Sequence, residues 1–292
     1  MPNLDDLADI IQYNHPLAPY THLKLGGPAE MLAVPRSREE LAQLVQIGYE
    51  NHIPVRVLGN GCNLLVRDEG IPGIVLRLVA PAFTEVSVRG KQVRAGTGAC
   101  VSTLISRAAM HGLAGLEALV GIPGTVGGAL RCNAGDRSGD IGQFVHSVEV
   151  LDNKGTLQIR DRDELRFGDH ASNLDDPVLL AADFELEPDV EDAIVKRMRK
   201  AFILRKAARP LSFQSAARLF KDPRGLRAAS LIDQAGLSKT RVGGAELSDR
   251  DANFVVVGPG ASSRDVLRLL DLIRSQVQER FHIALEQEIV VW

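Results

Sequence analysis

The sequence predicts an α+β fold divided into more than one subdomain. Short strand-like and helix-like runs follow one another without the regular strand–helix alternation of a doubly wound sheet. The chain has 292 residues, 45% of them hydrophobic, which is too long for one simple core and suits two or three subdomains. Glycine is plentiful at 27 residues while aromatics make up only 4%, as in a fold with many tight backbone turns.

The elements follow from local pattern. "AEMLAVP" (29–35) reads as a strand. In "SREELAQLVQIGYEN", Ser37 and Glu40 have capping-box spacing ahead of an apolar face of Leu41, Leu44, Val45 and Gly48. "PVRVLG" and "GIVLRL" are short β-rich runs bounded by Gly and Pro. "FTEVSVRGKQVRAGTG" alternates about Arg89-Gly90 as a hairpin does, and "SVEVLDNKGTLQIR" turns in the same way at Asn153-Lys154-Gly155. Between them, "CVSTLISRAAMHGL" reads as a helix closed by Gly112, with His111 as its C-terminal cap. "DAIVKRMRKAFILRKAARP" places Ile194, Met198 and Phe202 on one helical face, ends at Pro210, and connects to a C-terminal domain. "SSRDVLRLLDLIRSQVQERF" repeats the helical period through Val266, Leu269, Leu270, Ile273 and Val277, with Ser262 and Asp265 at capping-box spacing. "LEQEIVVW" is a closing strand.

Composition excludes several classes of function. A net charge of −3 gives no nucleic-acid-binding surface. No apolar run is long enough to span a bilayer, and "MPNLDDLADI" lacks the basic-then-apolar order of a secretory signal, so a cytoplasmic location is expected. Cys62, Cys100 and Cys132 match no zinc spacing and are odd in number. They are expected to be free, buried thiols, with no metal site. His146 and His282 have no partner pattern and read as surface or core residues.

Two glycine-rich loops stand out. "VLGNGCNLLV" (57–66) follows a strand; Gly59 and Gly61 allow backbone N–H groups to approach an anion, and Asn60 and Asn63 add side-chain hydrogen bonding. "GLEALVGIPGTVGGALRCNAG" (115–135) holds Gly121, Gly124, Gly127 and Gly128 within eight residues. Its spacing is neither the dinucleotide GxGxxG nor GxxxxGK[ST]. Either loop alone is compatible with a simple turn; together they suit an extended, phosphate-bearing cofactor with a flat ring.

These loops, with "THLKLGGPAEML", "SLIDQAGL", "RVGGAELSDRDANFVVV" and "LEQEIVVW", resemble the MurB family of UDP-N-acetylenolpyruvoylglucosamine reductases, in that family's order, from about Tyr20 to the C-terminus. The stretch from "FGDHASNL" to "VLLAADFEL" resembles its compact branch. The resemblance implies an FAD-binding module of the vanillyl-alcohol-oxidase type in two subdomains, 1–79 and 80–187. A connecting helix and a C-terminal α+β substrate domain follow over 188–292. It implies non-covalent FAD, NADPH as electron donor, a UDP-sugar substrate, and a monomer or weak dimer. In the family, hydride adds to the terminal carbon of an enolpyruvyl ether, giving UDP-N-acetylmuramate for the cell wall. Charge then builds beside the carboxylate; cations or donors must stabilise it and an acid must protonate it.

Carried over by motif, the cofactor would meet Gly59, Asn60, Gly61, Cys62, Asn63 and Leu64 in the first loop, and Gly96 beyond it. In the second it would meet Ile122, Pro123, Gly124, Thr125, Gly127, Gly128, Ala129, Asn133 and Gly135. Substrate contacts fall to Arg205 in a basic run, Lys221, Asp222 and Asn253, and Lys24 is also kept. The catalytic positions depart from the family. The acidic one keeps Glu288, the usual Arg position holds His170, and the usual Ser donor position holds Arg218. The resemblance places these three together around the substrate carboxylate. Asp222 stands where Asn is usual, adding negative charge near a diphosphate. An arginine, with a pKa above ~12, stabilises charge but donates no proton near neutral pH; a histidine, ordinarily near ~6.5, can donate one. Two readings stand: the positions exchanged roles, or catalysis was lost. Beside the reductase stand a flavoprotein with another substrate and a non-catalytic flavin- or UDP-sugar-binding homologue.

Overall fold

The computed structural model describes residues 4–136, 138–208, 215–223 and 225–292. The chain forms two compact units. The first gathers residues up to His15 with Ala29–Gly59 and Pro72–Leu204; the second gathers Pro16–Pro28, Asn60–Ile71 and Arg205–Trp292. Pro210, the expected end of the connecting helix, lies outside the described residues.

The first unit holds two sheets. One runs in the order Ile11–Pro16, Pro28–Ala33, Ile71–Leu76, Val55–Val57, with the last two parallel. Helix α1 (Arg38–Glu50) buries Leu41, Leu44, Val45, Ile47 and Gly48 in the core of this half. Ser37 caps it, its hydroxyl accepting the Glu40 N–H at 3.2 Å. The Glu40 carboxylate accepts the Arg36 N–H at 2.6 Å and pairs with the Arg36 guanidinium. A short helix α2 (Pro81–Thr84) takes up the "FT" that the sequence pattern placed at the start of the following hairpin.

The second sheet is antiparallel, in the order Leu157–Asp161, Val145–Leu151, Val178–Glu185, Gln92–Gly96, Val86–Arg89. Both expected hairpins are here. The Arg89–Gln92 pair closes one turn, and Gly155 at φ +74° sits in the other. Helix α3 (Val101–Met110) covers this sheet through Val101, Leu104, Ile105 and Ala108. His111 is its C-cap, with Nδ1 2.8 Å from the Arg107 carbonyl oxygen. Helix α4 (Val126–Arg131) adds Val126, Ala129 and Leu130 to the same core.

Helix α5 (Glu191–Ala208) buries Ile194 and packs Met198, but Phe202 is half exposed. The single apolar face expected for it is therefore used only near its start. One further turn carries Phe202 about 6 Å along the axis, beyond the core that Met198 meets. Cysteine burial is a second correction: no disulfide forms, and Cys100 and Cys132 are exposed. They occupy the N-cap of α3 and the C-cap of α4, boundary positions that face solvent.

In the second unit, an antiparallel sheet runs Ala216–Arg218, Phe254–Val257, Ala245–Leu247, Arg241–Val242. Helices α6 (Ala228–Gln234) and α7 (Ser263–Phe281) complete its core. The predicted face of α7 is buried throughout, and Ser262 and Asp265 form the complete capping box. Asp68 fixes the start of α7: its carboxylate accepts the Ser263 N–H at 3.1 Å, and the Ser263 hydroxyl accepts the Asp68 N–H at 3.0 Å. The closing strand is shorter than expected, only Val290–Val291, and runs parallel to Leu64–Leu65. Glu288 precedes it. Among the described residues no helix is long and apolar enough to cross a membrane.

Ser262→Ala should lower stability by about 1 kcal/mol through the lost cap. Ile273→Ala should cost about 2–5 kcal/mol because its side chain is fully buried. Denaturant unfolding of both variants checks the ranking.

Candidate active site

In the second unit, two segments distant in sequence are joined by one amide. The Asn63 side-chain oxygen accepts the Arg218 N–H at 3.1 Å, and its Nδ2 donates to the Glu288 carbonyl at 3.2 Å. The Glu288 N–H donates to the Leu219 carbonyl at 2.8 Å, and Lys221 N–H donates to the Glu286 carbonyl at 2.9 Å. Residues 218–221 and 286–289 therefore lie side by side. Their side chains meet: Arg218 Nε is 3.2 Å from Glu288 Oε2, and Arg218 Nη2 is 3.1 Å from Asp222 Oδ2. The expected pairing of Arg218 with Glu288 is present. His170 belongs to the first unit.

Several expected contact residues have partners within the protein. Asn63, assigned to the cofactor, directs its amide to Arg218 and Glu288. Asn253, assigned to substrate, is only 2% exposed. It accepts the Phe220 N–H at 3.0 Å and donates to the Phe220 carbonyl at 2.7 Å, so it holds the segment that carries Arg218. Asp222 is not the loose negative charge expected beside a diphosphate. One oxygen accepts the Ala228 N–H at 2.9 Å, at the first residue of α6, and the other pairs with Arg218. Lys221 is paired with Glu286 at 2.5 Å. Arg205 is half-buried near the end of α5, and Lys24 donates to the Pro19 carbonyl at 2.9 Å.

Asp251 lies behind this cluster. It accepts the Asn253 N–H at 2.9 Å, and Arg227 Nη2 approaches it at 3.5 Å. Burial pushes its carboxyl above the ordinary range, against the opposing pull of that hydrogen bond and of Arg227 and Arg218. Composition and motif gave no sign of Asp251. Its signal was the position directly before "ANF", which the buried Asn253 anchors.

In the first unit the glycine loops touch. A Cβ on Gly59 would lie 2.5 Å from Thr125 Oγ1, so glycine is required for Thr125 to fit. Thr125 caps α4 by accepting the Gly128 N–H at 3.3 Å. A Cβ on Gly127 would lie 2.9 Å from Thr97 Cβ, while one on Gly128 would meet only Thr125 Oγ1, at 3.5 Å. Pro123 and Gly128 are exposed and Ile122 half-buried; Ala129 is buried. Gly96 and Gly135 are set by packing too, against the Phe83 carbonyl and Asp140. Of the first loop, residues 60–64 belong to the second unit. Asn60 is exposed, Cys62 half-buried, Gly61 accepts the His22 N–H, and Leu64 pairs with Val290.

Asn133 is buried at φ +41° and links this region to a two-stranded hairpin. Its Nδ2 donates to the Gly168 carbonyl at 2.8 Å, and its Oδ1 accepts the Gly142 N–H at 3.0 Å. The hairpin, Phe167–Gly168 and Ala171–Ser172, turns through Asp169 and His170, the latter at φ +49°. Among the described residues no cluster of metal-ligating side chains occurs.

Both glycine loops lie within residues 29–159, which an FAD binding domain model matches, so the class is a flavin-binding protein. The C-terminal domain of UDP-N-acetylenolpyruvoylglucosamine reductase matches 209–292. The chain is 39% identical over 284 residues to UDP-N-acetylenolpyruvoylglucosamine reductase 2 of Symbiobacterium thermophilum, covering 97% of this chain and 92% of that one. It is 39% identical over 280 residues to the reductase of Moorella thermoacetica, covering 96% and 92%. The solved structure of the MurB reductase from Thermus caldophilus superposes with a TM-score of 0.82 at 37% identity, covering 97% and 98%. The chain belongs to the UDP-N-acetylenolpyruvoylglucosamine reductase family.

Gly59→Ala should destabilise the protein and lower its flavin content, whereas Gly59→Ala with Thr125→Ala should regain most of the stability. The double variant leaves Cβ contacts no closer than 3.5 Å at Thr125 and loses only the cap. That cap is worth about 1 kcal/mol. Melting temperature and flavin absorbance per polypeptide test this. Asn253→Ala should cost about 2–6 kcal/mol, because two buried main-chain groups lose their partner at about 1–3 kcal/mol each. Unfolding free energy measures it.

Proposed function

We propose that this chain is an FAD-dependent, NADPH-using reductase of UDP-N-acetylglucosamine enolpyruvate, forming UDP-N-acetylmuramate for peptidoglycan synthesis. The observation that carries the reading is the Arg218–Glu288 pair, held by Asn63 in a chain that matches the reductases over nearly its whole length. The residues present fit the cofactor: the contact of Gly59 with Thr125 brings the two glycine loops together, and exposed Gly128 leaves room that a side chain would fill. Gly59 and residues 122–135 of the first unit would hold FAD non-covalently; once bound and reduced by NADPH, FAD would supply hydride for the enolpyruvyl carbon. Residues 1–79 and 80–187 would form its two binding subdomains and 188–292 the substrate part, in a cytoplasmic monomer or weak dimer.

Within that reading the chain's own groups divide the remaining work. Arg218 stabilises the charge that builds beside the substrate carboxylate, as preorganised cations do. Asn63 fixes its backbone and Asp222 one of its nitrogens. Asn253 keeps Phe220, and hence Arg218, in register. Lys221 and Arg205 are the cations assigned to the UDP moiety. His170 stands on the hairpin tied to Asn133.

The replacement of a hydroxyl donor by Arg218 favours one other reading, a homologue that binds flavin and UDP-sugar without turnover. A single experiment separates them. The purified protein is reduced anaerobically with NADPH, the enolpyruvyl UDP-sugar is added, and reoxidation is followed. Reoxidation with formation of the lactyl product supports the reductase; a flavin that stays reduced sinks it. Reoxidation should be slower by about 10²–10⁴-fold if no other group takes over as the positioned acid. Arg218→Ser with His170→Arg should accelerate it if donor and cation placement are the limit. Flavin should be released on denaturation; flavin that stays with the polypeptide would overturn the non-covalent assignment.

A further inference from the structure

The charges around Arg218 do not balance. Arg218 faces two carboxylates, Glu288 at 3.2 Å and Asp222 at 3.1 Å. The neighbouring cations of this unit already have partners of their own. Lys221 pairs with Glu286 at 2.5 Å, and Arg227 approaches Asp251 at 3.5 Å. Among the described residues, these ion pairs set three cations, Arg218, Lys221 and Arg227, against four carboxylates, Glu288, Asp222, Glu286 and Asp251. Glu288 has only 15% of its side chain exposed, so solvent screens its charge poorly.

A substrate carboxylate that comes to Arg218 adds another negative charge to this set. Like charges at short range in a partly buried site do not all stay ionised; one of them takes a proton. Asp222 is the less suited of the two. Its second oxygen is held by the Ala228 N–H at 2.9 Å, which ties it to the start of α6. Glu288 is the more buried, at 15% exposure against 38% for Asp222.

Resting on the proposed reductase reading, we infer that substrate binding is coupled to proton uptake by Glu288, and that this proton is the one delivered to the substrate. Asp222 is the positioning residue of the step: it keeps hold of Arg218 Nη2 when Glu288 gives up its ion pair. The balance is simple. Hydride addition to the terminal enolpyruvyl carbon leaves an electron pair on the carbon beside the carboxylate. The Glu288 carboxyl O–H bond breaks, the new C–H bond forms with that electron pair, and Glu288 returns to carboxylate beside Arg218. The hydroxyl donor that Arg218 replaced is then not required.

The test reads protons, not turnover. Oxidised holoenzyme is titrated calorimetrically in two buffers of different ionisation enthalpy, once with the enolpyruvyl UDP-sugar and once with UDP-N-acetylglucosamine, which lacks the carboxylate. Uptake of about one proton is expected near neutral pH with the first and none with the second. Glu288→Gln should abolish the uptake. Asp222→Asn, which retains an acceptor for the Ala228 N–H, should reduce it, because Arg218 then faces one carboxylate. Equal uptake with the two sugars, or none with the enolpyruvyl sugar, overturns this inference alone. Uptake that survives Glu288→Gln but is lost in His170→Gln overturns it in favour of the histidine. A holoenzyme that binds neither sugar overturns the reductase reading itself. The wild-type comparison of the two sugars needs no variant, so a misfolded Glu288→Gln does not shield the claim.

Discussion

One side-chain amide sets the geometry on which the candidate chemistry depends. Asn63 accepts from the main chain of Arg218 and donates to the main chain of Glu288, positions 155 and 225 residues away. A side chain can bridge two such strands only if its own segment is fixed, and this one is. Val290–Val291 pairs with Leu64–Leu65 immediately after it, and Asp68 and Ser263 exchange hydrogen bonds a few residues further on. Arg218 and Glu288 then meet because their backbones are held, which leaves the guanidinium and carboxylate able to exchange partners without loss of the frame. A buried ion pair alone would give a weaker frame, since the cost of taking two charges out of water largely offsets their attraction.

The same frame sets two opposite charges against each other. Arginine at 218 brings a positive charge into a partly buried place, and aspartate at 222 supplies a negative one at 3.1 Å. Asp222 also accepts the first N–H of α6, so its charge is stabilised from both sides. Viewed singly, each is a charge in a partly buried place. Viewed as a pair they form a local clamp.

Most of the fold was legible in the sequence because its signals are local. The faces of α1 and α7, the Ser262–Asp265 capping box and both hairpins follow from period and turn chemistry. Phe202 misled because helical spacing records a face but not how far the partner core extends along it. The cysteines misled because their type favours burial while the caps they occupy face solvent. In the candidate site, motif carry-over names positions but not the protein partners that three of them take. Asn63, Asn253 and Asp222 hold main-chain groups of distant or neighbouring segments, and no spacing rule reports which of a residue's possible partners it takes.

This bears on how a motif's glycines and asparagines should be understood in such proteins. Gly59, Gly96, Gly127 and Gly135 are each required by a protein atom that a Cβ would strike, whether or not a cofactor is bound. Gly128, open except for Thr125, has a lack of side chain that packing does not explain. A family pattern in these loops is therefore dominated by the demands of building the cradle. Loss of turnover would leave most of it intact, because the fold would still need it. The pattern consequently testifies to flavin-binding architecture far more strongly than to catalysis. Evidence for catalysis has to come from groups that packing does not require, and in this chain the foremost are the charges of Arg218 and Glu288.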